Sequence, residues 1–417
     1  MDRALLQSLF AKAVAQAQPA LAVARHLPEP PRGRTLVIGA GKASAQMARA
    51  FEQAWPGDLS GLVVTRYGYG EACERIEIVE AAHPVPDAAG LRAAQRLMEM
   101  VSGLGPDDLV VALISGGGSS LLPAPADGLT LEDEQAINRA LLASGAPIGV
   151  MNLIRNQFSN IKGGRLAAAA APARVATLVV SDVPGDDPAL VASGPTLPLE
   201  GGRAEARRLA GLYRLDLPEA AAKLLASEDN LPPDAGDAIF SRNSVATIAS
   251  AALSLEAAAD LARQNGIEAA ILSDAIEGEA RDVALVHAAM AREIAQRNRP
   301  LAKPVVLLSG GETTVTLRGK GRGGRNGEFA LSLAIAIDGV DGITALAADT
   351  DGIDGSEDNA GAYVDGTSAR RMREVGIDPQ AALSNNDAYS AFAAIGDLLV
   401  TGPTGTNVND FRAILVR

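Results

Sequence analysis

Leu109-Val110-Val111-Ala112-Leu113-Ile114 is an unbroken apolar run that ends in Ser115-Gly116-Gly117-Gly118-Ser119-Ser120. Six apolar residues are too few for a typical helix and match a strand buried on both faces of a parallel sheet. Glycines at such a strand end let successive backbone N–H groups turn toward one point, an anion-binding concavity to which serine hydroxyls add donors. In an open α/β sheet, ligands bind beyond the carboxyl ends of the strands, where this loop belongs. A glycine-rich turn with no ligand is the plain alternative for an isolated Gly-Gly-Gly. A later echo weighs against it. Val305-Val306-Leu307-Leu308 again runs into Ser309-Gly310-Gly311-Glu312, so two strand ends are expected to form two halves of one cleft.

Apolar runs elsewhere alternate with helical periodicity, which predicts a doubly wound parallel sheet. Expected strands lie at 35–38, 61–65, 76–80 and 175–180, with helices at 1–25, from 43, at 88–102, and through 130–170 with a break at Gly163-Gly164. Residues 203–230 look helical and stop at Leu231-Pro232-Pro233-Asp234, because consecutive prolines end a helix and stiffen a linker. The boundary is therefore set there, giving a Rossmann-like domain at 1–234 and a smaller α/β domain at 235–417. In the latter we expect a helix near 244–264, a strand at 269–273, a helix at 279–297 and the strand 305–308. Thr314-Val315-Thr316-Leu317 alternates and predicts an antiparallel pairing. A helix from about 327, a strand at 343–348 and a helix at 367–375 complete the pattern.

A chain of 417 residues exceeds what one core usually serves, which again argues for more than one domain. Its net charge of −13 disfavours a nucleic-acid partner, since a phosphate backbone needs a basic surface. One cysteine permits no internal disulfide, and three histidines with one cysteine build no zinc site of usual spacing. No apolar run reaches the length of a membrane span, so a soluble, cytoplasmic protein without a membrane partner is expected.

Positive charge is carried by arginine almost throughout; lysine occurs only at 12, 42, 162, 223, 303 and 320. Gly39-Ala40-Gly41-Lys42 follows a strand and opens a helix, a setting that favours an anion. Ser44 stands where a dinucleotide fingerprint has its third small residue, but the next strand ends in Thr65-Arg66 with no acid. Val37 stands where a Walker loop has its first glycine, so neither motif is complete. Lys42 still suits contact with a phosphate or carboxylate. Arg155 and Ser159, one helical turn apart, would share a face, and Lys162-Gly163-Gly164-Arg165 offers two cations around a turn. Asp182, Asp186 and Asp187 cluster after a strand; such carboxylates hold Mg²⁺ with phosphate and water, or one takes a proton from a substrate hydroxyl. Asp349-Thr350-Asp351-Gly352 has the same two readings, and His83 between prolines reads as structural. Glycine loops, few histidines and charged strand ends together are what phosphoryl transfer asks for.

The segments 37–43, 82–87, 115–122, 161–166, 181–195, 309–312, 323–328, 347–355, 385–389 and 401–410 resemble those of glycerate 2-kinases of class II, which carry a C-terminal MOFRL domain. Asp349-Thr350-Asp351-Gly352-Ile353-Asp354-Gly355 and Thr401–Asp410 are the most specific of them. The resemblance implies phosphorylation of D-glycerate to 2-phosphoglycerate with ATP and Mg²⁺, in a cleft between two α/β domains, with Lys42 and Arg325 essential. On that basis Lys42, Arg325 and Asp182 are the expected catalytic residues, and Arg155, Ser159 and Lys162 are expected to bind substrate. Ser115, Gly116, Gly117, Gly118, Ser119, Gly310, Gly311 and Glu312 are expected to bind nucleotide, and Asp187 and Asp351 metal. Four glycines within Gly319–Gly324 predict a flexible loop that orders on closure and delivers Arg325. A homodimer is an accompanying expectation. The family has Arg-Lys-His-Leu-Ser where this chain has Arg155-Asn156-Gln157-Phe158-Ser159, which leaves the hydroxy acid open. Competing readings are an NAD(P)H-dependent hydroxypyruvate or tartronate semialdehyde reductase, with Arg66 toward an NADP phosphate, and a sugar-acid sensor that keeps the fold.

Overall fold

A computed structural model describes residues 2–183 and 185–417; Met1 and Pro184, which the expectations for the first helix and the 181–195 segment include, lie outside the described residues. The chain divides into two compact units, Pro19–Ile248 and Met1–Gln18 with Ala249–Arg417.

The first unit is built on six strands: β1 (Thr35–Ala40), β2 (Ser60–Arg66), β3 (Ile76–Ala81), β4 (Leu109–Ser115), β5 (Arg174–Val180) and β6 (Ser244–Ala249). Their order is β3-β2-β1-β4-β5-β6, and β1 to β5 pair in parallel. The apolar run at 109–114 is β4, hydrogen-bonded to β1 and β5 and buried along its whole length, as its lack of alternation predicts. Helix Ala88–Val101 covers this sheet with Ala93, Ala94, Leu97 and Val101, and the Asp87 carboxylate caps the Gly90 N–H. Helices 131–143, 148–156, 203–212 and 219–226 gather Ile137, Leu141, Ile154, Phe158 and Leu209 into a separate cluster. Two of the long expected helices are thus broken into shorter ones, at Gly145 and Pro147 and again before Pro218.

The second unit has a mixed sheet. Its strands are β7 (Glu268–Ser273), β9 (Val305–Gly311), β11 (Ile343–Asp349), β12 (Gly361–Asp365), β13 (Leu398–Leu399) and β14 (Asp410–Val416), in the order β13-β12-β11-β14-β9-β7. A small pair, β8 (Gly278–Glu279) with β10 (Thr313–Thr314), lies apart from it. The antiparallel hairpin expected at Thr314–Leu317 does not form: β10 is two residues long and runs parallel to β8, while the Glu279 carboxylate takes the Thr316 N–H.

The division differs from the boundary expected at 234/235. Residues 244–249, expected in a helix, form β6 of the first sheet, so the double proline lies inside the first unit. Helix Asp2–Gln16 ends before Pro19 and buries Leu6, Leu9, Phe10 and Ala13 against Leu255, Ala258, Ala259 and Ala262 of helix Ala251–Gln264. The apolar stripe at the chain start is thus core of the second unit. Among the described residues no helix is long and apolar enough to cross a membrane.

Candidate active site

In the first unit the strand order reverses between β1 and β4, and the loops after these two strands meet at that switch point. The Lys42 N–H donates to the Gly116 carbonyl at 2.9 Å. Ser115 Oγ accepts the Ala43 N–H and contacts Ser44 Oγ, each at 3.0 Å. Gly117 has φ of +80°, which turns the chain into the short helical segment Gly118–Leu121. A Cβ on Gly117 would lie 3.0 Å from His83 Nε2 and 3.2 Å from Lys42 Cε, and one on Gly116 would overlap Asp182 Oδ2. The bare backbone lets the Lys42 side chain and the His83 imidazole come close to Gly117 and the Asp182 carboxylate close to Gly116. Lys42 and Asp182 therefore both lie against the Ser115–Gly118 loop. Burial, aided by Lys42 and Arg66, pushes the His83 imidazole down to about 4, so at neutral pH it is an uncharged hydrogen-bonding group.

Behind this loop runs a buried polar chain. Ser119 Oγ meets Ser193 Oγ at 2.9 Å, and the Ser193 hydroxyl lies 2.9 Å from Asn152 Oδ1. Arg155 donates to Ser193 Oγ at 3.2 Å, to Asn138 Oδ1 at 2.8 Å and to Asn152 Oδ1. Arg155 is thus an anchor beneath Ser119, and burial pulls its pKa down to about 10. Ala192 and Ser193 both have positive φ, a strained conformation for residues with a Cβ. Gly163 and Gly164 secure that turn by donating their N–H groups to the Ser193 and Gly194 carbonyls at 3.1 and 2.8 Å.

Two expected substrate ligands have other work. The helix carrying Arg155 ends at Asn156, so Ser159 does not share its face; Ser159 Oγ accepts the Ile161 and Lys162 N–H groups instead. Lys162 is buried, with Nζ 2.8 Å from both Glu134 Oε1 and the Leu122 carbonyl. Removing one partner of a buried ion pair strands the other charge. Lys162→Ala is therefore expected to lower unfolding free energy by about 3–5 kcal/mol in a denaturant titration, and a loss below about 1 kcal/mol would contradict the pair's structural role. Asn156 and Gln157, where the chain departs from the family pattern, are buried too: the Asn156 carbonyl accepts from Arg165 and Gln157 Oε1 from Arg203, each at 2.8 Å. Asp187 is exposed and caps the Ala189 N–H.

The second unit holds its own cavity of about 400 Å³, lined by Glu312, Thr313, Arg325, Asp349, Asp351 and Asn407 among others. Arg325 is the first residue of helix Arg325–Ala336 and is gripped on every side: Nε by Asp410 at 2.6 Å, Nη2 by Asp349 at 2.8 Å and Nη1 by Glu312 at 2.8 Å. Burial opposes its charge, but these carboxylates outweigh it and hold the guanidinium above its ordinary range. Burial, with Asp351 and Asp410 nearby, holds the Asp349 carboxyl well above its usual value, and Arg325 works against that rise.

The flexible delivery loop expected at Gly319–Gly324 is not found. Asn386 Oδ1 accepts the Arg318 and Gly319 N–H groups, and Asn385 and Asp387 accept those of Lys320, Gly321 and Arg322, so the loop is already ordered. The N-terminus of its helix is filled by Asp354, which accepts the Gly324, Asn326 and Gly327 N–H groups at 3.2, 2.9 and 2.7 Å. Burial pushes the Asp354 carboxyl up to about 6 even so.

The echo of the first glycine loop is a different object. Gly310 and Gly311 lie inside β9, paired with Phe411 and Asp410 of β14. Gly311 has φ of +120° and a Cβ there would overlap the Ile276 backbone, so these glycines admit a chain crossing rather than nucleotide phosphates. Glu312 reaches Arg325 instead. Asp351 accepts the Ile353 N–H at 2.8 Å and the Asn407 amide at 3.3 Å. Among the described residues no group of three or more His, Cys, Asp or Glu is arranged to hold a metal ion.

Sequence reasoning did not assign roles to Asn152, Ser193 or Asp410, and set His83 aside as structural. Asp410 closes, and Ser193 lies within, a segment that the family resemblance singles out, but neither was given a role there.

The chain is thus a two-unit α/β protein, with a glycine loop, a lysine and an aspartate at the switch point of a Rossmann-ordered sheet in one unit and an arginine clamped among carboxylates in the other. A domain of unknown function, DUF4147, matches residues 5–226, and the MOFRL family matches residues 305–410. The D-glycerate 2-kinase of Thermotoga maritima is 39% identical over 96% of this chain and 94% of its own. The crystal structure of the glycerate kinase from that organism superposes with a TM-score of 0.91 at 38% identity, covering 99% of both chains. A protein of Agrobacterium vitis named a putative hydroxypyruvate reductase is 55% identical over 99% of this chain and 94% of its own. The chain belongs to the glycerate 2-kinase family in which a DUF4147 region is joined to a MOFRL region.

Proposed function

We propose that the chain is a kinase that transfers the γ-phosphoryl group of ATP to the 2-hydroxyl of D-glycerate, releasing 2-phosphoglycerate and ADP. The observation that carries this reading is the convergence of Lys42, Asp182 and the Ser115–Gly118 backbone at the switch point. The name of the Thermotoga maritima relative, a D-glycerate 2-kinase, supports the substrate and the position phosphorylated. Asp182 takes the proton of the 2-hydroxyl as its oxygen attacks the γ-phosphorus, and the bond from that phosphorus to the ADP oxygen breaks with its electron pair going to ADP. Lys42 and the loop N–H groups neutralise the charge that builds on the transferred group, and Arg325 is a further cation that serves the reaction. A magnesium ion, where bound, would supply positive charge against the nucleotide phosphates. Mg²⁺ usually takes one or two carboxylates together with phosphates and water, and Asp187 or Asp351 would be its donor.

Reduction of hydroxypyruvate is the second reading, favoured by the name of the Agrobacterium vitis relative and by the strand order. Against it, Ser115 Oγ occupies the Ala43 N–H and the Ser44 hydroxyl, the donors that a dinucleotide pyrophosphate would use. Mixing the protein with ATP, Mg²⁺ and a panel of small hydroxy acids should release ADP with D-glycerate, whereas oxidation of NADH or NADPH by hydroxypyruvate would replace the kinase reading.

Asp182→Asn keeps the shape but accepts no proton. Substrate binding should persist in calorimetry while kcat falls by about a hundredfold. Full turnover at neutral pH would move the role to Asp187 or Asp351.

A further inference from the structure

Arg412 stands in the middle of β14, and its side chain is completely buried. Its Nη2 donates to Thr313 Oγ1 at 3.0 Å and pairs with Asp410, its Nη1 donates to the Gly310 carbonyl at 3.3 Å, and its guanidinium lies 5.0 Å from the centre of the Phe329 ring. Asp410 is equally buried and divides its two oxygens. Oδ1 accepts Arg325 Nε at 2.6 Å and the Asn326 amide at 2.9 Å. Oδ2 accepts the Thr313 N–H and hydroxyl, both at 3.1 Å, and bonds Arg412. One carboxylate thus stands between two guanidiniums, of which one is sealed in the core and the other opens on the cavity.

An aliphatic side chain would fill the centre of a buried strand at lower desolvation cost, since buried ion pairs seldom add stability over an apolar replacement. What Arg412 supplies is charge and direction. Asp410 Oδ1 is the atom that meets Arg325 Nε, so the direction in which its carboxylate is turned sets how the Arg325 fork lies. The Arg412 guanidinium on Oδ2, with Thr313, fixes that carboxylate so that Oδ1 faces Arg325 Nε. The Arg325 edge that bears Nη1 then faces Glu312, whose side chain is 57% exposed and the most easily displaced of the three partners.

We propose that Arg412 is a positioning residue for phosphoryl transfer, acting through Asp410 to hold the Arg325 guanidinium with its Nη1 edge toward the cavity. This rests on the reading that Arg325 serves the reaction. Asp410 transmits the effect, and Arg412 touches no reactant.

The test is a double-mutant cycle in the full-length protein, with kcat, KM for ATP and for D-glycerate, and the thermal midpoint measured for Arg325→Lys, Arg412→Met and the double variant. Arg412→Met should lower kcat by about 10- to 100-fold, the usual effect of losing a residue that orients a functional one, with both KM values within about threefold. The double variant should be no slower than Arg325→Lys alone to within about twofold, because both changes disable the same guanidinium. If Arg412→Met does not fold, Arg412→Lys enters the same cycle: it keeps the charge, loses the fork, and should give a smaller, equally non-additive loss. Additive losses, or an Arg412 variant with unchanged kcat, would overturn the proposal while leaving Arg325 in place. Full activity in Arg325→Lys would overturn it together with the reading of Arg325.

Discussion

Arg325→Lys is expected to lower kcat by about a thousandfold while nucleotide affinity stays within a few-fold, since a guanidinium stabilising a transferring phosphoryl group is worth at least that much. An ammonium is a single point of charge. It cannot bond Asp410, Asp349 and Glu312 along three edges as the planar fork does at 2.6–2.8 Å. The control is Arg322→Lys. Arg322 lies three residues earlier on the surface, pairs with Glu357 and stacks 4.3 Å from the Tyr389 ring centre, so its replacement should leave kcat unchanged. Equal, mild effects from both would show that Arg325 only fastens its helix to the sheet. A fall in thermal midpoint without loss of kcat per folded molecule would say the same.

The other large effect belongs to Lys42. Lys42→Ala should reduce kcat by about two orders of magnitude or more, as loss of an electrostatic stabiliser does, with the protein still folded because the lysine's backbone, not its side chain, makes the 2.9 Å bond to Gly116. A spectroscopic sign should accompany it. Lys42 is one of the two cations that, after burial, press the His83 imidazole down to about 4, so removing it should raise the His83 pKa in an NMR titration. Near-wild-type kcat and KM in a folded Lys42→Ala protein would take the residue out of the site.

How much of the fold and the site is legible in the amino-acid sequence depends on the range of the interactions involved. Apolar runs of four to six residues announce strands buried on both faces, and β1, β4, β5 and β9 stand where the runs lie. The strand β14 is not announced in this way because Arg412 stands within it, and a charged residue reads as a break until its partner is known. Asp410 supplies that partner from two positions away on the same strand, through bonds that only the fold completes.

The α/β class, the glycine loop after β4 and the lysine after β1 are written in the order of the amino acids, because each depends on neighbours within a few residues. The family is written there too, through segments long enough to be specific. What each charged residue does was settled only when the chain folded. Lys162 and Arg325 both stand next to glycine turns, yet one is sealed against Glu134 and the other opens on a cavity. Ser-Gly-Gly occurs twice, and one copy exposes its backbone to Lys42 and Asp182 while the other lies inside a sheet against Ile276. Burial and partner are set by segments far away in the chain. A local pattern can state that a cation or a bare backbone is present, but not whether water, a ligand or a buried carboxylate meets it.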